Sequence, residues 1–419
     1  MCSDEFVKQS ATLSRMSAPV PASPMSPALT VLFLALLLGL QPITTDLYLP
    51  ALPALTAGFG ATLPQAQLTL TALLLAFGVA QLVCGPISDR WGRRPVLLWG
   101  LSIYVVASVA STLAPSMAWL IAARTLQGAA MGAAVMCARA IVRDLYRPVE
   151  GARVMSKGLT GLGVIAALSG PLGGLLTDVA GWRAALLVLA VFGAATLALI
   201  VWRFEETVPQ KNPLALQPAT LLATWRRILS HRTFWAWSAL SAGSYGGLFT
   251  VLATSPFVFI DLLGVSRWGY GLIMASVSFT YLAGTVLCRW LLPRYGLQRT
   301  VALAARFTLT GGTLMGVFGL LGWHNGWTIM GPFYLFMLAH GVHQPCSQSG
   351  AVGPFPQSAG AASALNGFGM ALVSFLMGSV LGVIMDGTAR PLLYGVWFWS
   401  VLIVLAAWTV VQKHGNPEH

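Results

Sequence analysis

The chain has 419 residues, of which 56% are hydrophobic and only 9% are charged, and its net charge is +12. Soluble domains carry about 25% charged residues, so a soluble protein of this length would have too little charge to cover its surface. The positive charge does not predict nucleic-acid binding, because the basic residues fall in short loops between long apolar runs and form no continuous stripe. The composition therefore indicates a protein whose partner is the lipid bilayer, not nucleic acid.

The first residues, 1–27, are rich in Ser, Pro and Ala and lack helical periodicity, which predicts a disordered cytoplasmic tail. A signal peptide is the alternative, since Lys8 and Arg15 precede the apolar run "VLFLALLLGL". No small-residue cleavage site follows that run cleanly, and eleven further apolar runs come after it. These two features favour the tail.

Twelve windows of about 20 apolar residues predict membrane-spanning helices, which we number in chain order. They lie at approximately 28–50, 62–84, 95–113, 116–139, 154–178, 183–202, 233–259, 268–292, 300–322, 326–349, 359–385 and 391–411. The one long gap, "RFEETVPQKNPLALQPATLLATWRRILSHR", is charged and contains three prolines. We therefore predict an all-α membrane protein with twelve transmembrane helices in two six-helix pseudo-repeats. Its parts are an N-terminal bundle at 28–202, a cytoplasmic linker at 203–232, a C-terminal bundle at 233–411 and a cytoplasmic tail at 412–419.

The distribution of basic residues predicts the orientation in the membrane. Nineteen of the 24 lysines and arginines lie in the two tails and in the loops after spans two, four, six and eight. The opposite loops hold only Arg183, Arg267 and Arg390. Because cytoplasmic loops carry the excess of Lys and Arg, both termini are predicted to be cytoplasmic.

The two halves also resemble each other. "SDRWGRR" after span two has a counterpart, "LPRYGLQR", after span eight, about 204 residues later. "EGARVMSKG" at the start of span five resembles "AGAASALNG" at the start of span eleven, at an offset of 209. Two copies in the same orientation form a parallel repeat, an arrangement that commonly builds a central cavity between the copies.

The stretch "LQPITTDLYLP" places Asp46 inside the first apolar run, and it is the only acidic residue predicted to lie well inside a span. A charge at that depth is costly, and a low dielectric favours the neutral form of a carboxyl. We therefore expect Asp46 to bind and release a proton. Alternatively, span one ends early and leaves Asp46 among the lipid headgroups. The apolar residues of "DLYLPALPAL" argue against that alternative.

Arg124, in "WLIAARTLQGAAMG", lies about eight residues into span four, or ~12 Å from its outer end. A charge at this depth needs a partner, and a long arginine can reach Asp46, so we expect both residues to take part in proton coupling. Gln127 and Gly128 share the helix face of Arg124, and Gly128 with Gly132 permits close helix contact. The alternative is a structural arginine that binds backbone carbonyls.

The loop "GPISDRWGRRP" joins spans two and three and combines glycines, which permit a tight turn, with an acid and three arginines. A loop that only set the orientation of the protein in the membrane would need the arginines alone. The mixture instead predicts a cytoplasmic gate, a latch that breaks and reforms as the halves rock. Its residues are Gly85, Asp89, Arg90, Gly92, Arg93 and Arg94.

Span five contains "GLGVIAALSGPLGG", in which Gly170, Pro171 and Gly174 predict a hinge at the interface of the halves. The proline removes a backbone hydrogen bond and kinks the helix, and the glycines allow close packing. The same features are also common in ordinary membrane helices.

These motifs together resemble the Bcr/CflA group of drug:proton antiporters in the major facilitator superfamily. The resemblance is carried by "DLYLPALP", "GPISDRWGRRP", "RTLQG", "ARAIVRDLY" and "GPLGG", and in the second half by "HGVHQPCSQSGAVGPFPQSAGAASALNGF". It implies alternating access and export of drug-like molecules driven by inward proton flow.

The resemblance also implies roles for individual residues. Asp46 matches the protonatable acid of span one, Arg124 the arginine of the fourth-span motif, and Gly170, Pro171 and Gly174 the antiporter motif. The chain departs from the pattern at Leu175, where a second glycine is usual, and at Leu38, where some relatives carry a second acid. A single membrane acid argues against a two-proton mechanism.

His340 and His343 in span ten could provide a second proton site or a substrate contact, or could pack as hydrogen-bonded residues. A metal site would need more ligands, and the five cysteines lack metal-ligand spacing, so none is predicted. The residues expected to contact substrate are Thr45, Asp46, Leu49, Gln127, Tyr245, Phe249 and His340.

No ATP-binding loop and no hydrolase motif occurs in the sequence, so neither an enzyme nor a cofactor is expected, and the proton is the expected coupling ion. We predict a monomeric, proton-coupled exporter of small amphipathic, drug-like molecules in the bacterial inner membrane. The nearest alternative is an importer of a small metabolite by symport or uniport. A sensor or a membrane enzyme would need an output domain or a catalytic cluster, and neither tail nor linker is long enough for a domain.

Overall fold

The computed structural model describes residues 25–146, 148–208 and 210–416, and this part of the chain consists of helices and their connections, without strands. Long apolar runs fold as helices because a helix satisfies its own backbone hydrogen bonds, which hydrocarbon cannot do. Most of the predicted disordered tail lies outside the described residues. Its last residues begin span one, where the Ser26 hydroxyl accepts a hydrogen bond from the Leu29 amide and Pro27 is the first helical residue.

The first half contains six spans. Span one runs over Pro27–Asp46 and continues, after a 3₁₀ turn at Leu49–Ala51, as the helix Leu52–Gly58. Spans two to six are Leu63–Trp91, Arg93–Thr112, Met117–Leu145, Pro148–Ala180 and Trp182–Arg203. Spans four and five are longer than their apolar windows. Span four continues past its window through charged residues, and span five begins before its window, also among charged residues.

The second half follows a linker that itself forms a helix, Pro218–Leu229. Span seven is Arg232–Pro256 with a π-helical turn at Phe257–Leu262, and spans eight and nine form one helical run, Arg267–Leu321, broken at Gly296. Span ten is Gly326–Val352, and span eleven is Ala359–Ile384 after a 3₁₀ turn at Pro356–Ser358. Span twelve is Arg390–Leu405, continued by a π-helical turn at Ala406–Val410 and by Val411–His414.

Ten helices of the described chain are long and apolar enough to cross a membrane. The run Arg267–Leu321 counts once among them although it contains spans eight and nine. Span ten does not reach the same apolarity, because its second half carries two histidines and two glutamines. With these two adjustments the predicted twelve-span, all-α fold is confirmed.

Glycines with positive φ mark the same three turns in both halves. They precede spans two and eight, spans three and nine, and spans six and twelve, at spacings of 204, 204 and 206 residues. The pairs are Gly60 and Gly264 (φ 58° and 67°), Gly92 and Gly296 (108° and 70°), and Gly181 and Gly387 (82° and 78°). Only glycine adopts this backbone region without steric cost, so the matched turns confirm the parallel repeat.

The two halves pack against each other through two pairs of spans, two with eleven and five with eight. Spans eight and eleven are the repeat counterparts of spans two and five. The two contacts are therefore equivalent under the pseudo-symmetry, and each buries small residues. A Cβ built on Gly78 of span two would lie 3.3 Å from the Phe368 Cα of span eleven.

We call the end with the loops after spans two, four, six and eight the basic end, and the other the opposite end. At the opposite end the Gln67 side-chain amide donates to the Ala253 carbonyl, 2.7 Å away, and so joins spans two and seven. The 3₁₀ turn Leu49–Ala51 of span one also touches spans seven and eight there. Within the described residues no ion pair joins the halves at the basic end.

Candidate functional site

Asp46 is the last residue of the first helical segment of span one. The helix cannot simply continue, because Pro50 and Pro53 follow and each lacks a backbone donor. The Thr45 hydroxyl donates to Asp46 Oδ1 at 2.8 Å, and the Asp46 side chain is half-buried. Helical structure continues to Gly58, so Asp46 lies at a break inside the span and not at its end.

Two tyrosines of the second half lie within electrostatic reach of Asp46. Tyr245 of span seven is half-buried, lies beside the Gln41 side chain and is within electrostatic reach of the Asp46 carboxyl. Tyr270 of span eight is also within electrostatic reach of Asp46, and its hydroxyl is hydrogen-bonded to Ser255 at 2.8 Å. The structure thus brings the predicted residues Asp46 and Tyr245 together across the two halves and adds Tyr270, which the sequence did not single out.

Arg124 is completely buried, and its contacts within the described chain are to the first half. Its Nη1 donates to Gln127 Oε1 at 2.8 Å and its Nη2 to the Thr44 carbonyl at 3.0 Å. The guanidinium carbon lies 4.3 Å from the centre of the Tyr48 ring, a cation–π contact. These contacts match the alternative role of a structural arginine bound to a backbone carbonyl.

The expected ion pair between Arg124 and Asp46 is therefore wrong for this structure. Thr44 and Tyr48 are four residues apart and share one face of span one, and Arg124 packs on that face. Asp46 lies two residues from Thr44, or about 200° around the helix. The carboxylate consequently points away from the arginine, although both side chains are anchored to the same helical turn.

A buried polar cluster surrounds Arg124. Gln127 Nε2 donates to the Ser108 hydroxyl at 2.6 Å, and the Thr44 and Tyr104 hydroxyls are 2.6 Å apart. Gln127 is itself completely buried, so in this conformation it supports Arg124 and is not exposed to a ligand. Next to the cluster, spans four and two approach closely at Gly128, where an added Cβ would lie 2.9 Å from the Leu73 Cα.

The other residues expected to contact substrate are buried in packing. Leu49 and Phe249 are each 1% exposed, and the Phe249 ring packs on Gly378. His340 is 3% exposed, and its Nδ1 lies 2.8 Å from the Ser244 hydroxyl. His343 points to another helix, with Nε2 3.1 Å from the Thr308 hydroxyl. The two histidines thus make separate hydrogen bonds.

No group of three or more potential metal ligands from His, Cys, Asp and Glu was found among the described residues.

The loop between spans two and three carries a network of ion pairs. Arg93 is buried and binds Asp89 at 2.7 Å and Asp144 at 2.8 Å, while Arg143 lies 3.6 Å from Asp89. Asp144 was not predicted as a member of this network, although it lies in "ARAIVRDLY", one of the motifs that carried the resemblance. Arg90 is exposed and forms no ion pair with the described residues.

Glu206, which follows span six, caps the start of span three. Its carboxylate accepts hydrogen bonds from the backbone amides of Arg93 at 2.8 Å and Arg94 at 3.2 Å. Gly92 has φ 108° and leaves room for this carboxylate, since a Cβ would lie 2.8 Å from the Glu206 Cδ. All of these partners belong to the first half or its linker. The predicted latch therefore does not join the two halves in this conformation.

The family of the protein follows from comparison with known proteins. The family model of the Major Facilitator Superfamily matches residues 34–379. The chain belongs to the major facilitator superfamily. It is accordingly a multi-pass membrane transporter and not an enzyme.

Its relatives within the superfamily carry drug-resistance names. The chain is 28% identical to the chloramphenicol resistance protein of Pseudomonas aeruginosa, over 94% of this chain and 93% of the relative. It is 30% identical to multidrug resistance protein D of Escherichia coli strain K12, over 80% and 84%. These names confirm the resemblance to the Bcr/CflA group.

Among solved structures of the superfamily, the chain is similar to a partially occluded, inward-open conformation of the xylose transporter XylE from Escherichia coli. The TM-score is 0.73 at 15% identity, over 92% of this chain and 97% of XylE. At this identity the likeness shows the fold alone.

The predicted hinge residues of this superfamily member lie where spans five and eight touch. A Cβ on Gly170 would lie 3.0 Å from the Gly271 carbonyl, and one on Gly174 would lie 2.9 Å from the Trp268 amide. Pro171 lies inside the continuous helix Pro148–Ala180. The glycines allow backbone-to-backbone contact between the halves, as a pivot requires.

Proposed function

We propose that this protein exports small amphipathic, drug-like molecules in exchange for protons by alternating access. The observation that supports this best is the environment of Asp46. It is a half-buried carboxyl at a helix break, without a cationic partner in the described part of the chain, opposite Tyr245 and Tyr270 of the other half. A carboxyl that no cation neutralises favours its protonated form at low dielectric.

In the proposed cycle, ionised Asp46 helps to hold the substrate while the cavity faces the cytoplasm. A proton from the outside then neutralises the carboxyl, and the substrate leaves. Neutralisation lowers the cost of burying Asp46, so the halves can rock back, and the proton passes to the cytoplasm. Coupling requires that substrate and proton each weaken the binding of the other, a reciprocal linkage.

The proposal also covers the membrane in which the protein lies, its orientation and its oligomeric state. The bacterial inner membrane supplies the proton gradient, the basic end faces the cytoplasm by the charge rule, and a single chain carries the complete site. The resistance names of the relatives support drug-like compounds as substrates. Proton coupling needs no further cofactor.

Everted membrane vesicles from an efflux-deficient host test this function. We expect the wild-type protein to accumulate some compounds of a drug panel when a proton gradient is present, and a protonophore to abolish the uptake. Asp46→Asn should remove the gradient-driven component while the protein still inserts. Full gradient-driven accumulation by this variant would refute the proposed coupling.

Asp386→Asn is the matched control, because Asp386 is exposed in the loop before span twelve and lies outside the site. It should transport as the wild type does. If the substrate moved in the opposite direction, out of everted vesicles, the importer alternative would replace export.

A further inference from the structure

Two neighbouring cavities open at the basic end on the side of the first half, away from Asp46. The first has a volume of about 530 Å³ and lies between span three and the segment that follows span six. We call it the linker cleft; it is lined by Arg94, Pro95, Leu98, Trp99, Ser102, Glu206 and Lys211. The second, of about 620 Å³, shares Arg94 and Glu206 with it. Neither cavity has a role in the proposed transport cycle.

The linker cleft offers positive charge to a ligand. Among the described residues the Arg94 guanidinium makes one hydrogen bond, from Nη2 to the Val201 carbonyl at 3.3 Å, and Lys211 is exposed. Neither side chain forms an ion pair with the described residues. The acid of the cleft, Glu206, is already bound by backbone amides, those of Arg93, Arg94, Thr207 and Val208.

The remaining wall of the linker cleft is apolar. Arg94, Leu98 and Ser102 are spaced by four residues and so follow one face of span three over ~12 Å. Trp99 borders this face and is 73% exposed. Tryptophan is enriched where membrane proteins meet the lipid headgroups, so the cleft lies at the depth where a headgroup and the start of an acyl chain are found.

We propose that the linker cleft binds an anionic phospholipid. The phosphate lies between Arg94 and Lys211, and an acyl chain follows Leu98 and Trp99 along span three. Arginine and lysine are the usual partners of phosphate oxygens, and basic pockets at the ends of membrane helices bind anionic headgroups. The bound lipid ties the start of the linker to span three.

The purified transporter in detergent tests this site by native mass spectrometry and thermal unfolding. Cardiolipin or phosphatidylglycerol should bind and raise the melting temperature, whereas phosphatidylcholine should do so far less. Arg94→Gln/Lys211→Gln should weaken the binding of the anionic lipids about twenty-fivefold, because each basic residue contributes about a factor of five. Trp99→Ala leaves the charges in place and should also weaken lipid binding. This single variant tests the linker cleft even if the double variant does not fold.

The matched control is Arg226→Gln/Lys413→Gln, which removes the same charge from exposed sites at the basic end outside the cleft. It should bind anionic lipid as the wild type does. An equal loss of affinity for anionic lipid in both double variants would contradict a lipid site in the linker cleft. Phosphatidylcholine binding as tight as that of the anionic lipids would contradict it too. Equal stabilisation by inorganic phosphate alone would also overturn it, because the cleft would then bind free phosphate and not a lipid.

Discussion

Asp178 of span five and Arg267 of span eight form the only ion pair that joins the two halves within the described chain. The distance from Arg267 Nη1 to Asp178 Oδ1 is 2.9 Å, and the other carboxylate oxygen accepts from the Trp268 amide at 3.3 Å. Both side chains are 35% exposed. The pair lies beside the close contact of Gly174 with Arg267 and Trp268, so it fastens the halves at the opposite end.

Asp178→Asn should favour opening at the opposite end. A partly exposed ion pair contributes about 1 kcal/mol at most, which corresponds to roughly a fivefold shift in the equilibrium between the two conformations. The measurement uses a chain without its native cysteines, in which Leu49 is replaced by cysteine. Leu49 is buried when the halves are in contact at the opposite end, so opening there should speed the labelling of this cysteine by a thiol reagent.

Asp386→Asn is the control for this experiment, because the hydrogen bonds of the Asp386 carboxylate within the described residues come from its own loop, from the amide and the hydroxyl of Thr388. The charge-exchanged variant Asp178→Arg/Arg267→Asp should restore slow labelling. Unchanged labelling in Asp178→Asn would show that the pair does not hold the halves together.

Arg124→Gln should destabilise the protein by roughly 2–3 kcal/mol, since it leaves the Thr44 carbonyl and Gln127 without their buried partner. Arg124→Lys should also lose stability, because an ammonium cannot reproduce the planar fork that binds both oxygens and covers the Tyr48 ring. Denaturant unfolding in detergent measures both effects. Arg139→Gln is the control from the same helix: Arg139 is exposed, with one bond of 3.3 Å to Gln81, and an equal loss there would contradict the role of Arg124.

Gly173→Ala should cost about 2 kcal/mol and reduce transport, because the methyl group would lie 2.9 Å from the Leu47 Cα and push span five away from the turn next to Asp46. Gly369→Ala is the matched control, since nothing lies within 4 Å of a Cβ built there and alanine favours the helix. Thermal unfolding and vesicle transport measure the two effects. Equal behaviour of the two variants would mean that the contact with Leu47 is not required.

Arg93→Gln should destabilise the first half by about 3 kcal/mol, because the carboxylate of Asp144, whose side chain is 8% exposed, then keeps only the longer contacts to Arg143 at 3.9 Å and to the Thr207 hydroxyl at 3.5 Å. Arg93→Gln/Asp144→Asn should be more stable than the sum of the single losses predicts, since both charges are then gone. A double-mutant cycle of unfolding free energies measures this coupling. Additive losses would contradict a direct interaction between the two side chains.

Sequence reasoning predicted best those features that depend on composition and on local residue order. The apolar windows located all twelve spans, and "DRWG" with "PRYG" indicated a repeat that Gly92 and Gly296 then confirmed through their matching backbone geometry. The ion pairs of the loop were less predictable. Asp144 and Glu206 lie more than 50 residues from Arg93, and nothing in their own surroundings shows that the helix ends meet.

The amino-acid sequence by itself determined that this protein is a twelve-span membrane protein with one acid inside a span, because a helix of about 20 apolar residues crosses hydrocarbon with its backbone hydrogen bonds satisfied, whereas a charge there is costly. Only the tertiary structure decided which side chains meet. Asp46 and Arg124 lie at similar depths, yet the packing of span one places Arg124 against Thr44 and Tyr48 and leaves Asp46 within electrostatic reach of two tyrosines of the second half. Depth follows from position along a helix, whereas partners follow from the face that each helix turns to its neighbours, and packing sets that face.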